Sequence, residues 1–279
     1  MLRRREQIEL KSLDEIKLMR EAGLVVAHGL SAMRAAVAPG VSTADLDAIA
    51  RDVLAAEGAT SSFLNYGFPP FPAVICSSVN DEVVHGIPSR RTVLREGDLI
   101  SIDFGAIVDG WHGDAAITVP VGVVSAEAAA LSAACEKALW DGLVAARAGG
   151  RLTDISYAVQ TSVRASGDFG IVTGYGGHGI GSQMHMDPHV HNTGRPGHGP
   201  QLVPGMALAV EPMLTLRTPA TRELDDHWTV ATADGSLAAH WEHTVAIMDD
   251  GPWVLTAPDG GRAEFATRGV ALSALSAAA

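Results

Sequence analysis

Cysteine is almost absent: Cys76 and Cys135 are the two in 279 residues, too few for a disulfide framework and in keeping with a reducing cytoplasm. Positive charge is scarce as well. Lys and Arg number 20 against 32 Asp and Glu, a formal net charge of −12, which argues against a broad nucleic-acid-binding face, since such faces need clustered Lys and Arg. The one basic run, Arg3-Arg4-Arg5, is short and terminal and reads as a solvated start to the chain. Long apolar runs are also missing. None approaches the roughly 20 residues of a membrane span, and charged residues interrupt the apolar pattern of the first 30 positions, so no secretory signal is read there. Aromatics reach only 5%, while 47% of residues are hydrophobic. That composition suits one large domain or two fused halves, either able to bury a sizeable core.

What is present repeats itself. Ser12 and Glu15 form a capping-box pattern ahead of a helix with apolar positions Ile16, Met19, Leu24, Val25 and Leu30, stopped by Pro39-Gly40. A second helix is predicted from about Thr43 to Gly58, an Ala-rich third from Ser125 to Gly149-Gly150, and a fourth from about Thr153 to Gly167. The residues echo one another too. Ala38-Pro39-Gly40-Val41-Ser42-Thr43-Ala44-Asp45-Leu46 is matched, with one gap, by Ala148-Gly149-Gly150-Arg151-Leu152-Thr153-Asp154-Ile155, and His85-Gly86-Ile87 by His178-Gly179-Ile180. Gly97 precedes Asp103 by six residues across an apolar strand, and Gly205 precedes Glu211 by the same six. Each half then offers a second carboxylate, Asp114 and Glu242. The shared order favours an internal duplication, two α+β halves about a pseudo-twofold axis.

These carboxylates converge. Asp109-Gly110 is a strong two-residue hairpin signal between Leu99–Val108 and a return strand beginning Trp111-His112-Gly113-Asp114. With that turn, position 105 lies opposite 114 and 103 opposite 116, so Asp103 and Asp114 become diagonal neighbours on one face, their Cβ atoms up to ~7–8 Å apart. Two exposed aspartates on an ordinary amphipathic hairpin are the plain alternative, and for Asp114, beside a turn, a fair one. For Asp103, inside an apolar run, it is poor, because a lone buried carboxylate is costly. Glu211 stands between Met206-Ala207-Leu208-Ala209-Val210 and Pro212-Met213-Leu214, so it needs a cation or a dense set of donors.

Glu242 lies in Ala239-His240-Trp241-Glu242-His243-Thr244-Val245, where alternation puts His240, Glu242 and Thr244 on one face. His240 and His243 are read as satisfied or exposed histidines rather than ligands. His178 and His185 belong to a Gly-rich segment whose glycines let the backbone come close to a ligand. Seven positions separate them, so a loop or hairpin must bring both to one place. No strand-GxxxxGK[ST]-helix context supports a phosphate cradle instead. Asp103, Asp114, Glu211, Glu242 and His178 together make a hard ligand set whose charge balances two divalent cations. Mn, Fe, Co and Zn are candidates, and a thiolate-type structural zinc site is not.

Nearly the whole chain, about residues 7 to 250, resembles the type I methionine aminopeptidases of the creatinase and aminopeptidase superfamily. The resemblance is carried by Asn80-Asp81-Glu82-Val83-Val84-His85-Gly86-Ile87-Pro88, Ile102-Asp103, Trp111-His112-Gly113-Asp114, Gly177-His178-Gly179-Ile180-Gly181, Glu211-Pro212 and Trp241-Glu242-His243-Thr244. It implies a pita-bread fold of class α+β: two pseudo-twofold halves with a central antiparallel sheet covered by helices. On this reading residues 1–262 form a single catalytic domain with an internal repeat of about 13–122 and 125–250, and 263–279 an Ala-rich tail that frays. Asp103, Asp114, His178, Glu211 and Glu242 become metal ligands, with Asp114 and Glu242 bridging and Glu211 also the general base. His85 and His185 become catalytic helpers that position substrate without binding metal. Phe68, Phe71, Cys76, Met184 and Trp228 become the lining of a methionine pocket. Met184 and Met186 depart from the family, which often has Phe and an acidic residue there. His189, His191 and His198 are read as a Gly- and Pro-rich surface loop rather than a further metal site.

The implied activity is metal-dependent removal of the initiator methionine from nascent proteins and peptides with a small second residue, in the cytoplasm, with transient ribosome contact. No membrane and no specific nucleic acid is implied as partner. An Xaa-Pro aminopeptidase or prolidase shares the fold and ligand pattern. Those enzymes typically carry a large extra N-terminal domain, whereas the first ligand here already appears at Asp103. A non-catalytic binding module on the same fold is the third reading, and such proteins lose ligands that this chain keeps.

Overall fold

The computed structural model describes residues 7–277; Arg3-Arg4-Arg5 and the last two alanines lie outside the described residues. Helices α1 (Leu13–Ala36) and α2 (Thr43–Glu57) come first, then strands β1 (Thr60–Ser61), β2 (Ile75–Val79), β3 (Glu82–Val84), β4 (Leu99–Val108) and β5 (Trp111–Pro120). Helices α3 (Ala126–Ala145) and α4 (Leu152–Ser166) follow, with β6 (Gly170–Ile171), β7 (Gly177–Gly179), β8 (Met186–Val190), β9 (Ala207–Val210) and β10 (Met213–Thr215). The rest comprises β11 (Thr221–Glu223), β12 (Val230–Thr232), β13 (Ala238–His240), β14 (Glu242–Met248), β15 (Gly251–Val254) and a short helix α5 (Arg262–Thr267).

Local chemistry sets the helix bounds. The Ser12–Glu15 capping box closes in both directions, and Ser42 with Asp45 repeats it at α2, which ends on Gly58 at φ 65. These contacts satisfy amide groups that a helix start otherwise leaves without partners. Helix α3 stops at Ala145, short of the Gly149-Gly150 pair, because Ala146 leaves the helical region at φ −76, ψ 69.

Nine strands among the described residues form one sheet in the order β1-β4-β5-β14-β9-β7-β8, with β2 beside β4 and β15 beside β14. Two three-stranded sheets, β13-β10-β6 and β11-β12-β3, complete the strand pairing. Helix α1 packs across β4 and β5, and α3 lies against β9, β13 and β14 with α4 alongside. The β4–β5 hairpin has the register that a turn at Asp109-Gly110 dictates: Gly105 faces Asp114 and Asp103 faces Ala116. Both turn residues have positive φ, 48° and 84°, as the favoured hairpin turn requires.

The C-terminal stretch expected to fray is instead packed. Phe265 of α5 is fully buried in the main core and meets Trp140 edge-on at 6.2 Å, while Ser273 and Ser276 are also buried. One aromatic anchor outweighs the low-complexity alanine composition that pointed to disorder. No helix of the described residues is long and apolar enough to cross a membrane.

Glycine permits a close approach between α1 and β5. A Cβ on Gly113 of β5 would lie 2.7 Å from the Gly23 nitrogen of α1, and one on Gly23 would collide with the Leu255 carbonyl. That contact seats α1 on the hairpin next to Asp114. Gly23→Ala should therefore destabilise the protein by about 1–3 kcal/mol through overpacking, read as a lower urea midpoint at unchanged slope. An unaltered midpoint would contradict so close an approach.

Candidate metal centre

Strand register alone assembles the carboxylates. Along one rung Cys76 faces Asp103, Asp103 faces Ala116, and Ala116 faces Glu242. One residue beyond the Val210–His243 pair the chain sets Glu211 beside Glu242. Two residues along the strands, and therefore on the same face, a second rung runs from Gly105 and Asp114 through Thr244 and Ala209 to His178. Asp114 and Thr244 are tied together: the Asp114 N–H donates to Thr244 Oγ1 at 3.2 Å, and that hydroxyl donates to the Asp114 carbonyl at 2.8 Å. Ala116 and Ala209, the spacers within the two rungs, put no bulk between the acidic groups.

The result is a concentration of negative charge away from water. Asp114, His178, Glu211 and Glu242 are buried, Glu242 at 2% exposure, and Asp103 is partly so. Asp103 Oδ1, Asp114 Oδ1 and Glu242 Oε1 are shielded and have no hydrogen-bond partner among the described residues. Burial first, and neighbouring carboxylates second, push the Asp114 carboxyl up to about 8 and hold Asp103 and Glu242 well above the usual carboxylate range. Shielded carboxylate oxygens without hydrogen-bond partners are what a pair of divalent cations would neutralise. Two overlapping donor groups, Asp114–His178–Glu242 and Glu211–His240–Glu242, each converge closely enough to hold an ion. The residues present therefore fit two metal ions.

The imidazoles come from a hairpin, as the spacing required. His178 lies on β7 and His185 just before β8, their rings 4.4 Å apart. His178 points Nε2 to within 3.5 Å of Glu211 Oε1 while its Nδ1 bonds the Gly179 carbonyl at 2.9 Å. His185 Nδ1 meets the Tyr66 hydroxyl at 2.7 Å, and burial, with His178 beside it, pulls the imidazole down to about 4. His85 is held at φ 61 within 6.0 Å of Trp228, and burial lowers its basicity too.

The acidic cluster lines one side of a cavity of about 190 Å³ whose other walls include Phe63, Tyr66, Phe71, Cys76, Met184, His85, His185 and Trp228. The Cys76 thiol is pushed well up by burial and then by the carboxylates, so it contributes as an apolar wall. Phe68 does not belong here: it is 95% exposed. The turn formed as Tyr66 N–H donates to Phe63 O and Asn65 N–H to Phe71 O, with positive φ at Asn65 and Gly67, sends Tyr66 inward and Phe68 out. Met186 is half-buried in an outer groove that shares His178 and His185 with the cavity. His189, His191 and His198 are exposed and belong to no metal-competent group among the described residues.

Sequence reasoning missed four residues. Phe63 carried no signal, whereas Tyr66 was flanked by the turn-formers Asn65 and Gly67. Asn192, buried in the histidine-rich loop, donates Nδ2–H to the Glu211 carbonyl at 3.0 Å. His240, expected to be satisfied or exposed, is neither: it is 2% exposed, and its Nε2 has no hydrogen-bond partner. Alternation had already put it on the Glu242 face.

Since burial raises the Asp114 carboxyl to about 8, cations that bind at pH 7 must displace its proton. Divalent-ion titration of the stripped protein at pH 7 should release protons, seen as a buffer-dependent heat, and affinity should rise with pH up to about 8. Buffer-independent heat and a flat pH profile would disprove a protonated Asp114.

The family described as metallopeptidase family M24 matches residues 17–249. Methionine aminopeptidase 1 of Mycobacterium tuberculosis is 56% identical over 260 residues, covering 91% of this chain and 97% of that protein. The crystal structure of methionine aminopeptidase from Thermotoga maritima superposes with a TM-score of 0.87 at 36% identity, covering 90% of this chain and 99% of that one. The prolidase from Pyrococcus furiosus, 19% identical with a TM-score of 0.69, covers 89% of this chain and 65% of its own, a likeness of fold alone. The architecture is the pita-bread fold common to these proteins. With a family match over most of its length, and the acidic and imidazole donors gathered on one sheet face, the chain belongs to metallopeptidase family M24.

Proposed function

We propose that this protein is a metal-dependent aminopeptidase that removes the initiator methionine from nascent proteins and peptides, favouring a small second residue. One observation carries the reading: a single cavity of about 190 Å³ joins an apolar wall to a cluster fit for two cations. Its lining by Phe63, Phe71, Cys76, Met184 and Trp228 suits an unbranched, polarisable thioether chain. The names of the relatives at 56% and 36% identity support it.

In this reading Asp103, Asp114, His178, Glu211 and Glu242 would hold the two ions; Mn, Fe, Co and Zn match the donors. The ions, when bound, supply Lewis acidity that activates water and polarises the scissile carbonyl. Glu211 takes the proton from the attacking water and passes it to the leaving amine; Asn192 anchors its backbone carbonyl. His185 is neutral at working pH, and in the tautomer whose Nδ1 accepts from the Tyr66 hydroxyl, Nε2 carries the proton that steadies the developing oxyanion. His85, anchored beside Trp228, positions the substrate.

The same reading places the protein in the cytoplasm, where the unpaired Cys76 and Cys135 stay reduced, and makes its contact with the ribosome transient. Residues 1–262 act as one catalytic domain. Segments 13–122 and 125–250 descend from one duplicated unit, supported by the succession β2-β4-β5 against β7-β9-β14 on either side of the β5–β14 pair.

Three measurements test this function. Chelation should abolish peptidase activity and Co, Mn or Fe should restore it; full activity in demonstrably metal-free protein would sink the mechanism. His178→Ala should weaken metal binding, whereas His185→Ala should lower turnover with metal retained, a split that calorimetry would refute if both lost affinity equally. On a peptide panel Met-Ala-Ser and Met-Gly peptides should be cleaved well, Met-Lys and Met-Phe poorly, and Leu-Pro or Arg-Pro hardly at all. Each misplaced methylene in the pocket is worth about 1–3 kcal/mol of discrimination. Rapid cleavage of Arg-Pro peptides with little action on Met-Ala-Ser would favour a prolidase-like enzyme instead.

A further inference from the structure

His240 Nε2 stands 3.6 Å from Glu211 Oε2 and 3.8 Å from Glu242 Oε2. Hydrogen bonds of N–H to oxygen fall at about 2.7–3.2 Å, so neither contact is one. Two atoms bonded at ~2.0–2.2 Å to the same tetrahedral ion lie roughly 3.3–3.6 Å apart, close to what is found. His178 shows the same relation on the other side of the carboxylate, at 3.5 Å from Glu211 Oε1. Glu211 thus has an imidazole nitrogen facing each of its oxygens, at a separation that fits a shared ion.

The position is built rather than incidental. The His240 N–H is shared between Ser101 Oγ at 3.2 Å and Thr118 Oγ1 at 3.0 Å, and Thr118 Oγ1 donates to the His240 carbonyl at 2.8 Å. These two hydroxyls face each other across β4 and β5 at 2.9 Å and lock the backbone so that the ring is delivered into the acidic cluster. A buried imidazole nitrogen left without any partner is costly, and a bound ion would supply that partner.

We propose that His240 is a sixth metal-binding residue, giving the ion between Glu211 and Glu242 an imidazole nitrogen. This rests on the two-cation reading above and extends it. A second nitrogen shifts the site away from an almost all-oxygen set, favouring the later first-row metals such as Co and Zn over Mn.

Proton NMR of the Co(II)-loaded full-length protein tests the assignment, because the ring N–H of a cobalt-bound histidine gives a far-shifted signal that vanishes in heavy water. Two such signals are expected, from His178 and His240. His240→Gln should lose one and His178→Ala the other. Calorimetry with Co(II) should show one of two ion equivalents weakened by 10-fold or more in His240→Gln. A single signal in the wild-type protein would overturn the proposal even if the variant failed to fold, and so would an unchanged spectrum in His240→Gln. Failure of the wild-type protein to bind Co(II) at all would overturn the two-cation reading itself.

Discussion

Four carboxylates sharing one shielded sheet face is the constraint from which the rest of the structure follows. Like charges packed together without water cannot all ionise, so the fold must either keep protons on them or supply positive charge. Asp103, Asp114 and Glu242 show the first condition in their raised affinity for protons; the two converging donor groups prepare the second. Other choices serve that requirement. Ala116 and Ala209 keep the rungs open, Thr244 braces Asp114, and α1 is seated through glycines so closely that the hairpin carrying both aspartates has little room to shift.

How much of this was legible depended on whether the information was local. The Asp109-Gly110 turn, with period-two alternation, dictates the Asp103–Ala116 register, because a two-residue turn leaves no freedom in strand pairing. Glu211 was legible as a buried anomaly in an apolar run. That Glu211 and Glu242 are neighbours was not, since it depends on how β9 and β14, more than thirty residues apart, come to lie side by side. Phe68 was misplaced for a local reason: whether an aromatic in a tight turn points in or out depends on the backbone angles at Asn65 and Gly67, to which residue type is nearly blind. His240 was set aside on the general habit of histidines, although its strand position carried the better information. The tail was judged on composition, and one phenylalanine decided otherwise.

The centre is held by groups of different origin. Carboxylates stand on strands in the middle of the sheet, while His178 and His185 come from a hairpin beyond β9 and Tyr66 from a turn between β1 and β2. The rigid part thus carries the charge, and the connecting segments carry the groups that meet a substrate, a common division between scaffold and loops. Asn192 joins the two, reaching from the histidine-rich loop to the Glu211 backbone.

The turn at Asp109-Gly110 also limits how this sequence can drift. Side chains alternate strictly along β4 and β5, so inserting or deleting a single residue there would turn Asp114 to the helix side while leaving Asp103 where it is. A change of two would restore the face but slide Asp114 off the rung it shares with Thr244 and His178. The segment from Thr193 to Pro200 carries no such arithmetic, because it contributes its contacts to α4 one at a time. Length variation among descendants of this chain should therefore collect in that outer loop and be excluded from a turn that is just as exposed to solvent.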